Sequence, residues 1–408
     1  MKIWHPYTQE ATEPAPIEID RGVGPYLYTR DGRRLIDAIS SWWVNTHGHA
    51  HPVIAEAISK QARKLEQVIF AGFTHEPAEE LASRLAKYLP PPLTRLFFSD
   101  NGSTAVEVAM KMAVQYWHNL GRPEKHRIVA LEHAYHGDTI GTMSVSDDSP
   151  FTAAFRALRI PALRVRDADE LERLLQSQRS EIAAMIVEPL VQGAGGMLVY
   201  SADVLRRYRE LCAAHDVLFV ADEVFTGFGR TGRMFACEHA GIVPDMMCLS
   251  KGLTAGFLPL AATVCTEAVY KPFFSEDRAR AFFHGHSFSG NPLGCAAAIA
   301  SLKVFESEPV WDRITTIERI HRERLSEFEN HSEVASVRML GTIAAIELRA
   351  SDAGYLSKVR GSLYPFFLRE GVLLRPLGNV IYTVPPYVTP PDDLHHTYDV
   401  IKKAIASL

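Results

Sequence analysis

From about residue 51 onward, short runs of apolar residues alternate with longer stretches in which apolar positions recur every three or four residues. The periodic stretches predict helices at 52–69, 77–89, 103–119, 167–178 and 201–214. The short runs at 96–99, 127–131, 183–187, 217–221 and 246–250 predict strands. Runs such as Val217-Leu218-Phe219-Val220-Ala221 are apolar throughout, as in a strand buried on both faces. Strands of that kind alternating with helices predict an α/β fold with a mostly parallel sheet covered on both sides. The first 45 residues differ: they are rich in proline and aromatics, with short β-like pieces such as Tyr26-Leu27-Tyr28. From about 306 an amphipathic helix over 311–330 precedes strands, a further helix and Gly/Pro-rich turns. The expected division is a large domain over 46–305 and a smaller α+β domain over 306–408, joined by the N-terminal segment 1–45.

Composition narrows the function classes. The 408 residues are 47% hydrophobic and carry a net charge of −5, with basic residues dispersed rather than clustered. Nothing in that balance suggests nucleic-acid binding, and no apolar run reaches the ~18 residues needed to span a bilayer. The start, MKIWHPYTQE, lacks a signal-peptide pattern. Five widely spaced cysteines (Cys212, Cys237, Cys248, Cys265 and Cys295) predict reduced thiols and a cytoplasmic protein.

Candidate chemistry gathers at the strand ends. Lys251 follows the run 246–250 and precedes Gly252, which places it at the sheet's carboxyl edge, where open α/β sheets bind ligands. Lysine is the side chain that makes Schiff bases with carbonyl cofactors, although taken alone it reads first as a solvated loop residue. Asp222 ends the run 217–221 at the same edge. A carboxylate there needs a charged partner, and a protonated pyridine ring, as in pyridoxal 5'-phosphate, is one; a cap on the following turn is the other reading. Asp100-Asn101-Gly102-Ser103-Thr104 joins a strand to a helix and offers an anion site through Gly102 and Ser103, or a plain helix cap. Tyr135, in a predicted loop, can stack on one face of a flat cofactor, with Val224 against the other, or be a core aromatic. His47, His49 and His51 alternate, but no cysteine or carboxylate cluster completes a metal site, so no metal is expected. The segment 227–232, GFGRTG, lacks the ending of a phosphate-binding P-loop.

Taken together, VADEVFTGFGRTG and LSKGLTAGFLPLAA, with Lys251 29 positions after Asp222, resemble the class III aminotransferases over nearly the whole chain. The segments WHPYT (4–8), SSWW (40–43), AYHGDTIG (134–141), VQGAGGM (191–197), FHGHSFSGNPLGCAAA (283–298) and RPLGNVIYTVPPY (375–387) are similar to the branch of that family acting in biotin synthesis. The resemblance implies the type I fold of pyridoxal-phosphate-dependent transferases, a seven-stranded large-domain sheet and a homodimer with shared active sites. It implies ping-pong transfer of an amino group from S-adenosyl-L-methionine to 8-amino-7-oxononanoate, with lysine as an alternative donor. It also implies roles. Lys251, Asp222 and Tyr7 are catalytic, Lys251 by holding the cofactor as an imine and then moving the proton. Gly102 and Ser103 hold the phosphate, Tyr135 stacks on the ring, and His286 and Ser287 reach the neighbouring subunit's cofactor. Arg375 binds a substrate carboxylate, Tyr7, Trp42, Trp43 and Tyr382 wall the pocket beside Tyr135 and Lys251, and Gly285 adds backbone contacts. Many ω-amino-acid transaminases carry Arg where Asp138 stands, which sets this chain apart from them. Two adjacent tryptophans cannot both bury on one face of a strand, which favours a cleft for Trp42 and Trp43.

Overall fold

The computed structural model describes residues 1–350, 357 and 359–408. Three strands open the chain, β1 (Ile19–Val23), β2 (Tyr26–Thr29) and β3 (Arg34–Asp37). The large sheet then takes β4 (Leu93–Ser99), β5 (Arg127–Leu131), β6 (Leu163–Val165) and β7 (Ile182–Val187). A short pair, β8 (Val191–Gln192) and β9 (Leu198–Val199), interrupts it before β10 (Leu218–Asp222), β11 (Met246–Leu249) and β12 (Ala261–Thr266). Strand order in this seven-stranded sheet is β4-β12-β11-β10-β7-β5-β6. β12 pairs antiparallel with both neighbours, while the other pairings are parallel, so six strands point their carboxyl ends the same way.

Alternation along these strands sorts their side chains into two cores. Ile186, Val220, Met246 and Cys248 meet the helix Gly102–Asn119 through Ala105, Val106 and Ala109. Met185, Val187, Phe219, Ala221, Met247 and Leu249 face the other layer, with Leu171, Leu175, Leu205 and Leu211 from the helices Ala168–Gln178 and Ala202–Ala214. The continuous apolar runs in the sequence are the result of burial on both faces.

The C-terminal part adds β13 (Val334–Leu340), β14 (Ile343–Leu348), β15 (Val372–Leu373) and β16 (Val380–Thr383). β13, β14 and β16 form an antiparallel sheet, packed by the helix Val310–Leu325, which in turn packs against the helix Pro391–Ala406. β15 instead lies parallel to β3, so the two ends of the chain share one sheet. Val384 N–H and Thr383 Oγ1 both donate to the Ala38 carbonyl there.

Three expected elements are shorter than their sequence periodicity. The helix expected over 52–69 ends at Ala62; beyond it Ile69 is exposed while the adjacent Phe70 packs against the main core, so the apolar positions there no longer share one helical face. The helix expected over 77–89 runs Glu76–Leu85, and the one expected over 311–330 stops at Leu325. The pair Trp42–Trp43 is on no strand. Ser40, Ser41, Trp42 and Trp43 all have positive φ (51°, 45°, 76° and 71°), a left-handed turn that sends Trp43 inward and leaves Trp42 44% exposed. The strand argument for a cleft therefore fails on its premise, and turn geometry takes its place.

Candidate active site

A cleft of about 350 Å³ opens at the carboxyl ends of β4, β5, β7, β10 and β11. Each of those strands sends residues into it. β11 leads to Lys251, which has φ of 42° and lies at the cleft's floor. Its Nζ is 4.6 Å from the centre of the Trp43 ring and 5.5 Å from that of Phe225. Burial pushes the amine down to about 8, against the pull of Asp222 and Glu188. An amine poised there is neutral for a useful fraction of the time near neutral pH, as a base or nucleophile must be.

β10 ends in Asp222, which is buried. His136 Nδ1 lies 2.7 Å from Asp222 Oδ2, and the Val224 N–H donates to Oδ1 at 3.2 Å. The His136 ring is fully enclosed and its Nε2 has no partner among the described residues.

β4 leads to the helix Gly102–Asn119. Asn101 caps it and forms a reciprocal box with Thr104. The N–H groups of Gly102 and Ser103 are used by no recorded hydrogen bond among the described residues and line the cleft. A side chain at 102 would bring its Cβ within 2.6 Å of Val224 Cγ1. Gly137 (φ 129°) closes over Ser103, where a Cβ would lie 2.0 Å from Oγ. Two free N–H groups and a hydroxyl at a helix N-terminus suit a phosphate.

The side wall is aromatic and ordered. Arg375 lies 5.5 Å over Trp42, Trp42 lies 5.3 Å from Tyr7, and Tyr7 meets Phe151 edge-on at 5.6 Å. Among the described residues the Arg375 guanidinium pairs with no carboxylate, which leaves its fork available to one. Tyr7 donates its hydroxyl to Asp138. Burial, with hydrogen bonds to Tyr7 and Asp138, holds the Tyr135 hydroxyl well above its ordinary range. Trp43 is stacked between Phe225 at 4.5 Å and Tyr382 at 6.0 Å.

These features meet pyridoxal phosphate group by group: an amine for its aldehyde, an anion cradle for its phosphate, a buried carboxylate for its ring nitrogen, and Tyr135 and Val224 beside the space between. The absence of a side chain at 102, where a Cβ would meet Val224, and the closure of Gly137 over Ser103 are the features a bare helix cap would not need.

The sequence matches the family model described as Aminotransferase class-III over residues 7–405. The chain belongs to the class III aminotransferases. It is 48% identical to an adenosylmethionine-8-amino-7-oxononanoate aminotransferase of Synechococcus elongatus, over 98% of this chain and 97% of that relative. A crystal structure of an aminotransferase of the same name from Methanocaldococcus jannaschii superposes with a TM-score of 0.96 at 35% identity, covering 99% and 97% of the two chains. An amine transaminase from an uncultivated Pseudomonas species, in its PLP-bound form, gives 0.93 at 32% identity, covering 100% and 99%.

Within this class III chain, the cleft brings together Tyr7, Trp42, Trp43, Gly102, Ser103, Tyr135, Asp222, Val224, Lys251, Arg375 and Tyr382. It does not include Gly285, His286 or Ser287, which lie on a stretch where Gly285 and Ser287 are exposed. The motif reading overlooked several residues that the geometry singles out. Phe225 and Phe151 are part of the aromatic lining. His136 braces Asp222. Glu188 stands directly after the buried strand β7, the same signal that picked out Asp222.

Two further residues hold the left-handed turn. Asp37 accepts from the Ser41 N–H at 2.9 Å and the Ser41 hydroxyl at 2.7 Å, and its other neighbour is His49 Nε2 at 2.8 Å. Arg230, from GFGRTG, is buried and donates to the carbonyls of Pro385, Trp43 and Asn45. That segment braces the aromatic wall. The three alternating histidines have separate settings: His49 on Asp37, His51 on Glu308 at 2.9 Å, and His47 against Phe305.

Proposed function

We propose that this class III aminotransferase moves the amino group of S-adenosyl-L-methionine to 8-amino-7-oxononanoate, giving 7,8-diaminononanoate for biotin synthesis. The observation that carries the reading is the cleft itself: Lys251 over Trp43, with Asp222 below and an aromatic wall ending in Arg375. The names of two relatives similar to it along nearly their whole length support the same substrates.

Gly102 and Ser103 would hold the phosphate of pyridoxal phosphate, Asp222 would pair with its ring nitrogen, and Tyr135 and Val224 would flank the ring. When bound, the cofactor supplies an aldehyde that takes up the amino group and a ring that draws electrons from the reacting carbon. Lys251 Nζ would hold the cofactor through its aldehyde and, when not so engaged, would carry the proton between the two reacting carbons. Burial keeps that nitrogen neutral often enough to accept it. His136 keeps Asp222 oriented, and thereby keeps its negative charge on the ring nitrogen. Arg375 takes the carboxylate of the oxo acid by a bidentate pair, while Trp42, Trp43, Tyr7 and Tyr382 exclude water from its alkyl chain. The same aromatic faces suit a sulfonium. Tyr7 aligns the substrate with Asp138, where many ω-amino-acid transaminases carry arginine.

The same reading makes the protein a cytoplasmic homodimer. No helix among the described residues is long and apolar enough to cross a membrane. His286 and Ser287, outside their own cleft, are free to serve a neighbour's phosphate, with Gly285 beside them. The segments 1–45 and 306–408 form its smaller domain around the larger 46–305.

Single-turnover reaction of the cofactor-loaded protein with candidate donors, followed by visible absorbance, tests the substrate reading. S-adenosyl-L-methionine is expected to bleach the band of the Lys251-bound cofactor. Bleaching by lysine or an ω-amino acid, with none by S-adenosyl-L-methionine, overturns the donor assignment. Lys251→Ala removes both the band and turnover.

A further inference from the structure

Glu188 follows β7 as Asp222 ends β10, and the two strands are neighbours in register, Val187 beside Ala221. Two carboxylates thus stand side by side at the cleft's floor. Glu188 is buried, lines the cleft, and is held at both oxygens: Oε2 accepts the Tyr135 N–H at 3.0 Å and Oε1 accepts the Gly193 N–H at 3.0 Å. It therefore ties two loops together. One carries the ring-stacking Tyr135. The other packs on the aromatic floor, where a Cβ on Gly193 would lie 2.9 Å from Phe225 and 3.2 Å from Trp43. The Tyr200 hydroxyl on the Glu188 carbonyl fixes the backbone between them.

We propose that Glu188 is a positioning residue of the transamination, holding Tyr135 against the cofactor ring and favouring, through its negative charge, the protonated form of the Lys251 nitrogen. The proposal rests on the pyridoxal-phosphate reading above. The charged and titratable groups that face Glu188 are His136 from the β5 loop, Asp222 from β10, Lys251 from the β11 loop and Tyr200 from the stretch after β9; Arg230 acts at longer range on Lys251. The Gly193 turn brings only its N–H. Burial pushes Glu188 up to about 7, while His136 and its two N–H donors favour the carboxylate, so its charge changes near neutral pH.

Visible titration of the pyridoxal-phosphate-loaded protein against pH tests it, with wild type and Glu188→Gln compared. Glutamine keeps the size and removes the charge. The pKa of the cofactor-linked Lys251 nitrogen is expected to fall by about one unit, a tenfold change in its proton affinity. The wild-type curve is expected to spread over two coupled steps, and the variant's to fit a single proton. Identical midpoints in the two proteins overturn the proposal. So does a single-proton curve in wild type, which needs no variant and decides the matter if Glu188→Gln does not fold. Absence of any visible band in wild type refutes the cofactor reading itself, and is distinct from both.

Discussion

Arg230→Met is the most direct test of how the aromatic wall is held. The guanidinium is buried and makes three hydrogen bonds, at 3.0 Å to Pro385, 3.1 Å to Trp43 and 3.2 Å to Asn45. It also lies 5.1 Å over the Tyr387 ring. Methionine retains most of the aliphatic stem but leaves three carbonyls without their donor. Each buried orphan costs ~1–3 kcal/mol, and part of that is offset because a buried charge is no longer desolvated. The net loss is about 3–5 kcal/mol, a large share of the ~5–15 kcal/mol by which most proteins are stable. The loss falls on one place. Four successive residues, Ser40 to Trp43, hold positive φ, and each such non-glycine residue costs on the order of 1 kcal/mol. With its brace removed the turn relaxes, and Trp43 leaves its position under Lys251. Urea unfolding and single-turnover kinetics are the assays, with the exposed Arg233→Met as control. A loss below about 1 kcal/mol with unchanged turnover would refute the reasoning.

Gly102→Ala places a Cβ 2.6 Å from Val224 Cγ1; the clash is present with or without cofactor, so the apo protein is expected to lose ~1–3 kcal/mol in urea unfolding, and the displacement of Val224 is expected to weaken pyridoxal phosphate binding about tenfold in a fluorescence titration. Arg375→Ala removes a charge-assisted pair of about 2 kcal/mol, so KM for the oxo acid is expected to rise roughly thirtyfold; an unchanged KM contradicts the role. Acid destabilisation is expected from two histidines that burial pushes down, His47 to about 3 and His321 to about 4. Their folded pKa values lie below the unfolded value near 6.5, so the unfolded chain takes up protons first, and stability falls as pH drops from ~6.5 toward those values. At pH 5 the loss is about 2 kcal/mol per histidine, read as a lower urea midpoint than at pH 7 and reduced in His47→Gln; equal midpoints at the two pH values would contradict it.

The fold was legible where burial is two-sided. The runs 183–187, 217–221 and 246–250 have few other solutions than central parallel strands, and their ends, Asp222 and Lys251, lie where the active edge must be. Gly102 and Ser103 were legible because a helix N-terminus has a local signature. The aromatic wall was legible only through family resemblance, since the turn that presents it depends on contacts 185–187 positions away, from Arg230. Left-handed turns in Ser-Ser-Trp-Trp have no glycine to announce them. Phe151 and Phe225 were missed because aromatic residues carry no positional signal of their own. Glu188 was missed for a different reason: the test applied to Asp222, a carboxylate closing a buried strand, was not applied to the next strand.

The backbone alone does not choose the substrate. The aminotransferase from Methanocaldococcus jannaschii superposes at 0.96 and the Pseudomonas amine transaminase at 0.93, at 35% and 32% identity. A difference of that size cannot separate a nine-carbon oxo acid from a simple amine. On the proposed reading, the choice is made by side chains carried by loops: Tyr7 and Trp42 from the N-terminal segment, Asp138 and Phe151 from the stretch after β5, and Arg375 beyond β15. Lys251, Asp222 and the Gly102 turn are fixed to the sheet, where small displacements would stop the chemistry. The wall sits on separate pieces of chain, so its side chains can change while the floor stays in place. Substituting Tyr7 or Asp138 should therefore alter which amine bleaches the cofactor band more than whether any amine does, and Asp222 should behave the other way round.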